Sequence, residues 1–411
     1  MSRHRLIVGV DYGTTYTGVS FVTTDKTSID DVNVIRTWPG RDGEWKTPTR
    51  IAYAEENQRG RNALRENAWG YQVEPMMTSC CWTKLLLDKS TETSAHDDPG
   101  LQSGMDSSIY RLPSNKSPQA VCEDFLREVY KYTVARLTKQ LGPEVLEATP
   151  MECWLTVPAV WSDQAQEATK AAAQAAGFGS RSMDSISVIS EPEAAAIATL
   201  KKHLQAGGTN PPMPGENILI CDCGGGTVDI TTYTIVETEP ALVFDELCEG
   251  TGGKCGATYI DRNLHTLMSR RFGEAYDSIE MRRKGPGSRF MNAFESAKRS
   301  FGAPGEYRDQ ELGPLRMEVE DSDWYDAEEG MVRLTREDME SLFAPVVQKV
   351  ISLVESQAAA VKKKGELLDR LILVGGFDKP RLSAAPDSEA CKAQRRDANA
   401  VGAITEFAWD I

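Results

Sequence analysis

Two stretches of the chain, residues 6–21 and 218–236, share one pattern of apolar and polar positions. Each has an apolar run, then an acidic residue (Asp11 or Asp222), then a glycine turn with hydroxyls and a second apolar run. Short apolar runs rich in Val, Ile and Thr are typical of buried strands. Each stretch therefore predicts a strand, a tight turn and a second strand. For one stretch alone a hairpin with incidental acids is the alternative, but the repetition indicates a duplicated fold with one phosphate-binding turn in each half.

The remaining apolar positions predict helices and short strands. The predicted helices cover residues 117–142, 163–176, 193–203, 258–271, 289–301, 336–361 and 397–407. The predicted strands cover residues 153–157, 185–189 and 367–374. Residues 206–216 are rich in Gly and Pro and predict a linker. Residues 38–119 and 306–334 lack a regular pattern.

The glycine turns suit binding of a phosphate. Gly224–Gly226 let the backbone turn sharply and present its N–H groups to an anion. Acids beside such a turn indicate a cation between carboxylate and phosphate, and Mg²⁺, held mostly through its waters, fits. A third glycine cluster, residues 250–256, fails the Walker pattern because Cys255 replaces Ser or Thr.

Four charged side chains stand out, and each has a plain structural interpretation. Lys84 lies in an apolar segment, where a surface lysine with a buried stem is the plain explanation. Glu191 lies where a strand meets a helix, a common place for functional groups, although a carboxylate there also favours the helix dipole. Glu295 and Lys298 have the spacing of an exposed i,i+3 ion pair.

Composition excludes some classes of protein. The 411 residues carry a formal net charge of −15, which argues against a nucleic-acid binder that works by neutralising phosphates. No apolar run approaches the length of a membrane span. The nine cysteines lack the spacing of a zinc site and favour reduced, mostly buried thiols in a cytosolic protein.

Six segments, in chain order, resemble the ATPase domain of heat shock protein 70 chaperones. They are Asp11-Tyr-Gly-Thr-Thr-Tyr, Val157-Pro-Ala-Val-Trp-Ser-Asp-Gln-Ala, Glu191-Pro-Glu-Ala-Ala-Ala-Ile-Ala, Asp222-Cys-Gly-Gly-Gly-Thr-Val-Asp, Phe294-Glu-Ser-Ala-Lys-Arg and Leu373-Val-Gly-Gly. Further details resemble the divergent member-12-type branch: Trp82-Thr-Lys-Leu-Leu-Leu, Gly253-Lys-Cys-Gly-Ala and Val-Gly-Gly-Phe377. The resemblance covers about residues 6–376.

The resemblance implies an actin-like (ribonuclease H-like) α/β fold with ATP in a central cleft. Each of two lobes would be a duplicated βββαβα core with inserted subdomains. Lobe I would span residues 1–205, with an insert at about 40–118, and lobe II residues 206–411, with an insert at about 253–334. No substrate-binding domain is expected after lobe II, and the segment after Gly376 is shorter than in the family.

The resemblance also implies catalytic roles. Lys84 would reach the γ-phosphate and orient the attacking water. Glu191 and Asp229 would position or deprotonate that water, and Thr227 would contact the γ-phosphate.

Other residues would hold the cofactors. Asp11 and Asp222 would bind Mg²⁺ through water. The residues implied to bind ATP or ADP are Gly13, Thr14, Thr15, Tyr16, Gly224, Gly225, Gly226, Gly252, Gly253, Glu295, Lys298, Arg299, Gly375 and Gly376. Gly302 stands where the family has an adenine-facing serine.

The function so implied is slow, Mg²⁺-dependent ATP hydrolysis by a chaperone-like protein. Two alternatives stay open: a nucleotide-dependent interaction or regulatory module without useful catalysis, and a sugar-kinase-like phosphotransferase. The expected partners are a nucleotide and co-chaperones or client proteins, with neither nucleic acid nor membrane. The expected location is the cytoplasm, with the nucleus as an alternative.

Overall fold

The computed structural model describes residues 4–26, 28–58, 63–88, 110–205, 211–302 and 308–376. The described residues form two compact units, the first of residues 4–73, 78–88 and 110–211 and the second of residues 74–77 and 212–376, with the gaps just given. Each unit has a hydrophobic core of its own.

The described strands and helices of the first unit follow in chain order. The strands are β1 (Leu6–Tyr12), β2 (Tyr16–Thr23), β3 (Asn33–Val34), β4 (Thr37–Trp38), β5 (Arg41–Asp42), β6 (Thr47–Pro48), β7 (Arg50–Ala52), β8 (Ala68–Trp69), β9 (Cys80–Cys81), β10 (Met151–Val157) and β11 (Ser185–Ser190). The α-helices are α1 (Pro118–Leu141), α2 (Pro143–Ala148), α3 (Asp163–Ala176) and α4 (Glu191–Gln205). Single 3₁₀ turns cover Ile29–Asp31, Ala54–Glu56, Gly70–Gln72 and Thr83–Leu86.

The main sheet of the first unit has the order β11-β10-β1-β2-β3, and β6 also pairs with β2. β1, β2 and β3 form an antiparallel meander, whereas β10 and β11 run parallel to β1. Buried and partly exposed residues alternate along β1 and β10, as expected for strands with one face on a core. The carboxyl ends of β1, β10 and β11 therefore lie at one edge of the sheet, where ligands bind in such folds.

The helices of the first unit close its core. Val121, Phe125 and Val129 of α1 are buried in one cluster with β1, and the Phe125 and Tyr12 rings stack at 6.1 Å. The Ser162 hydroxyl accepts from the Ala165 N–H at 3.3 Å and so caps α3, as its sequence predicts.

The second unit contains the later elements. Its strands are β12 (Asn217–Cys223), β13 (Val228–Glu237), β14 (Val243–Gly253), β15 (Gln310–Leu312), β16 (Tyr325–Asp326), β17 (Met331–Leu334) and β18 (Arg370–Val374). Its helices are α5 (Thr258–Phe272), α6 (Glu274–Asp277), α7 (Met281–Lys284), α8 (Arg289–Ser300) and α9 (Arg336–Lys363).

The main sheet of the second unit repeats the design of the first. Its order is β14-β13-β12-β18, with β12, β13 and β14 antiparallel and β18 parallel to β12. The first unit has the same order and directions in β3-β2-β1-β10. This repetition confirms the predicted duplication, and the α/β architecture is that of the actin-like ATPase fold.

Most predicted elements are confirmed, but the short strands β3–β9 and the short helices α2, α6 and α7 were not predicted. Three further differences concern longer elements. α4 begins at Glu191, two residues earlier than predicted, because Pro192 is tolerated in a first helical turn. β18 begins at Arg370, and Leu367 is 79% exposed. β14 was missed, because most of its residues are at least partly exposed and it has no apolar alternation.

Several predictions lie outside the described residues. They concern the helix 397–407, the whole segment after Gly376 and residues 206–210 of the linker 206–216. Among the described helices, none is long and apolar enough to span a bilayer.

Candidate functional site

The glycine turn of the first unit joins β1 to β2. The Gly13 N–H donates to the Tyr16 carbonyl at 3.1 Å, and a Cβ at Gly13 would lie 2.4 Å from that oxygen. Thr49, which lies outside the turn, stabilises it through two hydrogen bonds. Its hydroxyl donates to the Gly13 carbonyl and its N–H to the Thr15 carbonyl, both at 2.8 Å. The turn is thus shaped before any ligand arrives, with Thr14 buried within it.

Asp11 lies on β1, just before this turn. Its Oδ1 accepts from the Thr156 hydroxyl at 3.0 Å, and its Oδ2 contacts Lys46 Nζ at 2.5 Å. Burial opposes the charge of Asp11, but Lys46, together with the Lys84 charge and the Thr156 hydrogen bond, holds the pKa of Asp11 below its ordinary value. Since the Asp11 side chain is 40% exposed, solvent screens this ion pair.

Lys84 and Glu191 form a buried ion pair in the first unit. Lys84 Nζ lies 2.7 Å from Glu191 Oε1, and the Lys84 side chain is only 1% exposed. The rings of Tyr12 and Trp161 lie 5.5 and 5.3 Å from the same ammonium. The interpretation of Lys84 as a surface lysine is therefore wrong: apolar neighbours enclose it, and the carboxylate at the β11–α4 corner compensates its charge.

The 3₁₀ turn that carries Lys84 starts from a strained residue. Trp82 has φ 58°, in the left-handed region that bulky residues avoid. Such outliers concentrate at functional sites, because only a surrounding structure that over-determines them keeps them in place.

The glycine turn of the second unit joins β12 to β13 and rests on the start of α5. The N–H groups of Gly256, Ala257 and Thr258 donate to the carbonyls of Gly226, Gly224 and Gly225 at 3.1, 3.1 and 2.8 Å. A Cβ at Gly256 would lie within 2.7 Å of backbone atoms of all three turn glycines.

The three carbonyls of this turn thus accept hydrogen bonds from the start of α5. Within the described part of the chain, no backbone carbonyl accepts from the N–H groups of Gly225 and Gly226. These two donors are what the turn offers an anion, as in other backbone nests.

Two carboxylates face each other across the second hairpin. Asp222 and Asp229 are direct cross-strand partners of β12 and β13, and Asp229 is 1% exposed. Paired carboxylates of this kind are ligands that a divalent cation accepts, directly or through its waters. Thr227, also buried, completes the turn by accepting the Gly224 N–H at its carbonyl, at 3.0 Å.

The remaining predicted glycines border these carboxylates. Gly252 and Gly253 lie at the end of β14, paired with Asp229 and Val228. Gly375, with φ +99°, follows β18, and a Cβ there would come within 2.5 Å of Asp222 Oδ1. Gly376 adjoins it, and a Cβ there would meet no atom of the described residues within 4 Å.

Helix α8 carries Glu295, Lys298 and Arg299. Lys298 Nζ lies 2.7 Å from both Glu295 Oε2 and Asp261 Oδ1, and Arg299 Nε lies 2.8 Å from Glu295 Oε1. The prediction of an exposed Glu–Lys pair is wrong, because Lys298 is 3% exposed. Burial opposes its charge, but the two carboxylates outweigh burial and hold the pKa of Lys298 above its ordinary value.

The described residues fit a nucleotide and a hydrated cation in part. Two pre-shaped glycine turns suit phosphates, and Asp222 beside Asp229 suits a divalent cation bound through water. In the first unit, a cation at Asp11 would have to compete with Lys46. No cluster of three metal-ligating side chains occurs among the described residues, and binding through water requires none.

The sequence reasoning missed Lys46, Thr156 and Asp261. Thr156 lies near the carboxyl end of β10, which is parallel to β1. Since ligands bind at the carboxyl ends of parallel strands, its position could have been predicted. Lys46 and Asp261 gave no such signal, because the first lies in a loop and the second within an ordinary helical pattern.

Comparison with known proteins identifies the family of this chain. The model of the Hsp70 protein family matches residues 7–385. Relatives include human heat shock 70 kDa protein 12B, 25% identical over 90% of this chain and 62% of its own length. Human heat shock 70 kDa protein 12A is 24% identical over 90% of this chain and 63% of its own length. The chaperone protein DnaK of Thermosipho melanesiensis is 25% identical over 92% of this chain and 53% of its own length.

The chain spans less than two thirds of the length of these relatives. The family model nevertheless covers most of it, and the member-12 proteins among the relatives agree with the predicted branch. The chain belongs to the Hsp70 family.

Proposed function

We propose that this chain binds ATP and hydrolyses it slowly in a Mg²⁺-dependent reaction, as a chaperone-like protein that works with clients or co-chaperones. The observation that carries the proposal is the Lys84–Glu191 ion pair. A lysine that is almost fully buried, held by one carboxylate 2.7 Å away at the carboxyl end of a sheet, is arranged for chemistry.

The pair supplies both groups that hydrolysis of a phosphoanhydride needs. Phosphoryl transfer depends mainly on positioning and on neutralising negative charge. The Lys84 ammonium is a donor for a γ-phosphate oxygen and for the attacking water. When Lys84 turns to the phosphate, the Glu191 carboxylate is released to accept the proton of that water. A bound divalent cation would add charge neutralisation at the phosphates.

One observation favours the second candidate function, a nucleotide-dependent interaction module. The Asp11 carboxylate, expected to hold the hydrated cation, is already paired with Lys46. A chain that binds nucleotide with this carboxylate engaged would switch conformation without efficient turnover. The cytoplasmic location, the lobe boundary at residues 205 and 206 and the individual site assignments remain predictions.

The test measures ATP turnover in variants of the ion pair. Removing Lys84 alone would leave a buried carboxylate unpaired and destabilise the unit by about 3–5 kcal/mol. The informative variant is therefore the double change Lys84→Met with Glu191→Gln, alongside Asp229→Asn. We expect each to lower kcat about a hundredfold or more while calorimetric nucleotide binding persists.

The matched control is Lys116→Met. Lys116 makes an ion pair of the same length in the same unit, with Asp124 at 2.7 Å and the Tyr53 ring at 5.0 Å, although its side chain is 29% exposed. The Lys116→Met variant should hydrolyse ATP at the wild-type rate. Wild-type rates in both the double variant and Asp229→Asn would refute the proposed hydrolysis. If the wild-type chain binds ATP tightly but does not hydrolyse it, the interaction module is favoured. If a small hydroxyl compound stimulates ATP consumption, the phosphotransferase is favoured.

A further inference from the structure

The segment 45–49 is hydrogen-bonded to the glycine turn of the first unit, which joins β1 to β2. Thr47 of β6 pairs with Thr17 of β2, and Thr49 holds the turn through its bonds to the Gly13 and Thr15 carbonyls. Lys46 belongs to this segment, so its backbone is fixed relative to the turn.

The side chain of Lys46 is guided to Asp11. A Cβ on Gly18 would lie 3.2 Å from Lys46 Cγ, so the lysine stem passes directly over this glycine. Gly18 is the cross-strand partner of Asp11, which explains why the ammonium reaches Oδ2 at 2.5 Å. The Tyr71 hydroxyl donates to the Lys46 carbonyl at 3.1 Å and holds the backbone.

This ion pair differs from the buried Lys84–Glu191 pair in its exposure. The Lys46 side chain is 51% exposed. An exposed ion pair contributes little to stability, so folding alone gives little reason for it. Its position beside an anion-binding turn gives a functional reason.

We propose that Lys46 is a built-in cation of the nucleotide site, and that it compensates Asp11 in place of a divalent cation. This inference rests on the proposed nucleotide binding. Its consequence is that nucleotide affinity in this chain depends only weakly on Mg²⁺, because Asp11, the carboxylate just before the glycine turn, is already neutralised.

Loss of Lys46 should affect nucleotide binding differently with and without the metal. Without Lys46 and without metal, the Asp11 carboxylate repels the phosphates, and affinity falls. With Mg²⁺ present, the cation reaches the vacated carboxylate and restores the attraction. Removing both charges, in Asp11→Asn with Lys46→Met, abolishes the repulsion without any cation.

The experiment is calorimetric titration with a non-hydrolysable ATP analogue, in excess Mg²⁺ and in EDTA. The quantity compared is the ratio of the Kd in EDTA to the Kd in Mg²⁺. We expect Lys46→Met to raise this ratio about tenfold by weakening metal-free binding. Lys46→Arg should keep the wild-type ratio, and the double variant should bring it back close to wild type.

The control is Lys131→Met, which removes another exposed lysine–carboxylate pair of the same unit, with Glu128 at 2.8 Å. It should leave the ratio unchanged. The inference is overturned if Lys46→Met leaves the ratio unchanged or weakens binding equally in both buffers. It is also overturned if the double variant stays as weak without metal as Lys46→Met, because Lys46 would then act on the phosphates and not on Asp11.

Failure of the proposed function has a separate signature. A wild-type chain that binds the analogue in neither buffer refutes nucleotide binding itself, and the inference with it. A wild-type chain that binds only with Mg²⁺ keeps the proposed function but contradicts the role of Lys46.

Discussion

At the scale of single residues, the second unit buries polar groups that the candidate site does not use. His265 on α5 contacts the Tyr276 hydroxyl through Nδ1 at 2.5 Å, while its Nε2 is buried without a hydrogen-bond partner among the described residues. Burial, reinforced by the nearby charges of Lys284 and Arg262, lowers the pKa of His265 from 6.5 to about 4. The imidazole is therefore neutral in the folded chain at neutral pH.

This residue predicts a loss of stability in mild acid. The unfolded chain takes up the proton near pH 6.5, whereas the folded chain resists it down to about pH 4. The stabilising contribution is therefore complete above pH 6.5 and declines as the pH falls toward 4. By about pH 5 we expect the unfolding free energy to fall by about 2 kcal/mol from this group.

Urea-induced unfolding at the two pH values measures this contribution. His265→Leu should show a shallower loss between neutral pH and pH 5 than the wild-type chain. The control is His4→Gln, at an exposed position paired with Asp25. If His265→Leu loses as much unfolding free energy between neutral pH and pH 5 as the wild-type chain, the pH dependence comes from other groups.

At the scale of elements, the second glycine turn and the start of α5 act as one piece. Three consecutive N–H groups of the helix start hold the three turn carbonyls, and the Cα of Gly256 lies against the turn backbone. Because every close contact is to backbone, no side-chain rotation makes room for a methyl group at this position.

Gly256→Ala should therefore destabilise the second unit by about 2 kcal/mol and weaken nucleotide binding together, since the turn must shift. The comparison is Gly250→Ala in the same glycine cluster, where the nearest atom to a new Cβ is the Thr231 hydroxyl at 3.1 Å. That hydroxyl can rotate, so a smaller loss is expected. Thermal unfolding and calorimetry of both variants measure the difference, and equal effects would contradict the packing argument.

At the scale of the whole molecule, two cores with the same strand order belong to one chain of 411 residues. A ligand that binds only the folded chain raises its stability by mass action. At a nucleotide concentration about a hundredfold above Kd, this amounts to about 2.7 kcal/mol.

We therefore expect ADP to raise the unfolding midpoint by a few degrees in differential scanning fluorimetry. AMP is the control, because it lacks the phosphate chain that the glycine turns are expected to hold, and it should give a much smaller rise. An unchanged midpoint in saturating ADP would count against nucleotide binding by the folded chain.

Local signals in the sequence predicted most of the longer elements, although not β14, and they marked the two glycine turns. Apolar runs, caps such as Ser162 and the glycine turns after Asp11 and Asp222 are local, and their physics acts within a few residues. The duplicated hairpins then made the fold recognisable, and the structure confirms the same strand order in both units.

Pairings between distant residues were decided only by the tertiary structure. Lys84 meets Glu191 across 107 positions, Lys298 meets Asp261 across 37 and Lys46 meets Asp11 across 35. The sequence alone determined that these residues are charged and that some border phosphate turns. Whether each charge is exposed, buried or compensated depends on which distant segment packs beside it, because the free energy of a charge is set by its surroundings and not by its neighbours along the chain.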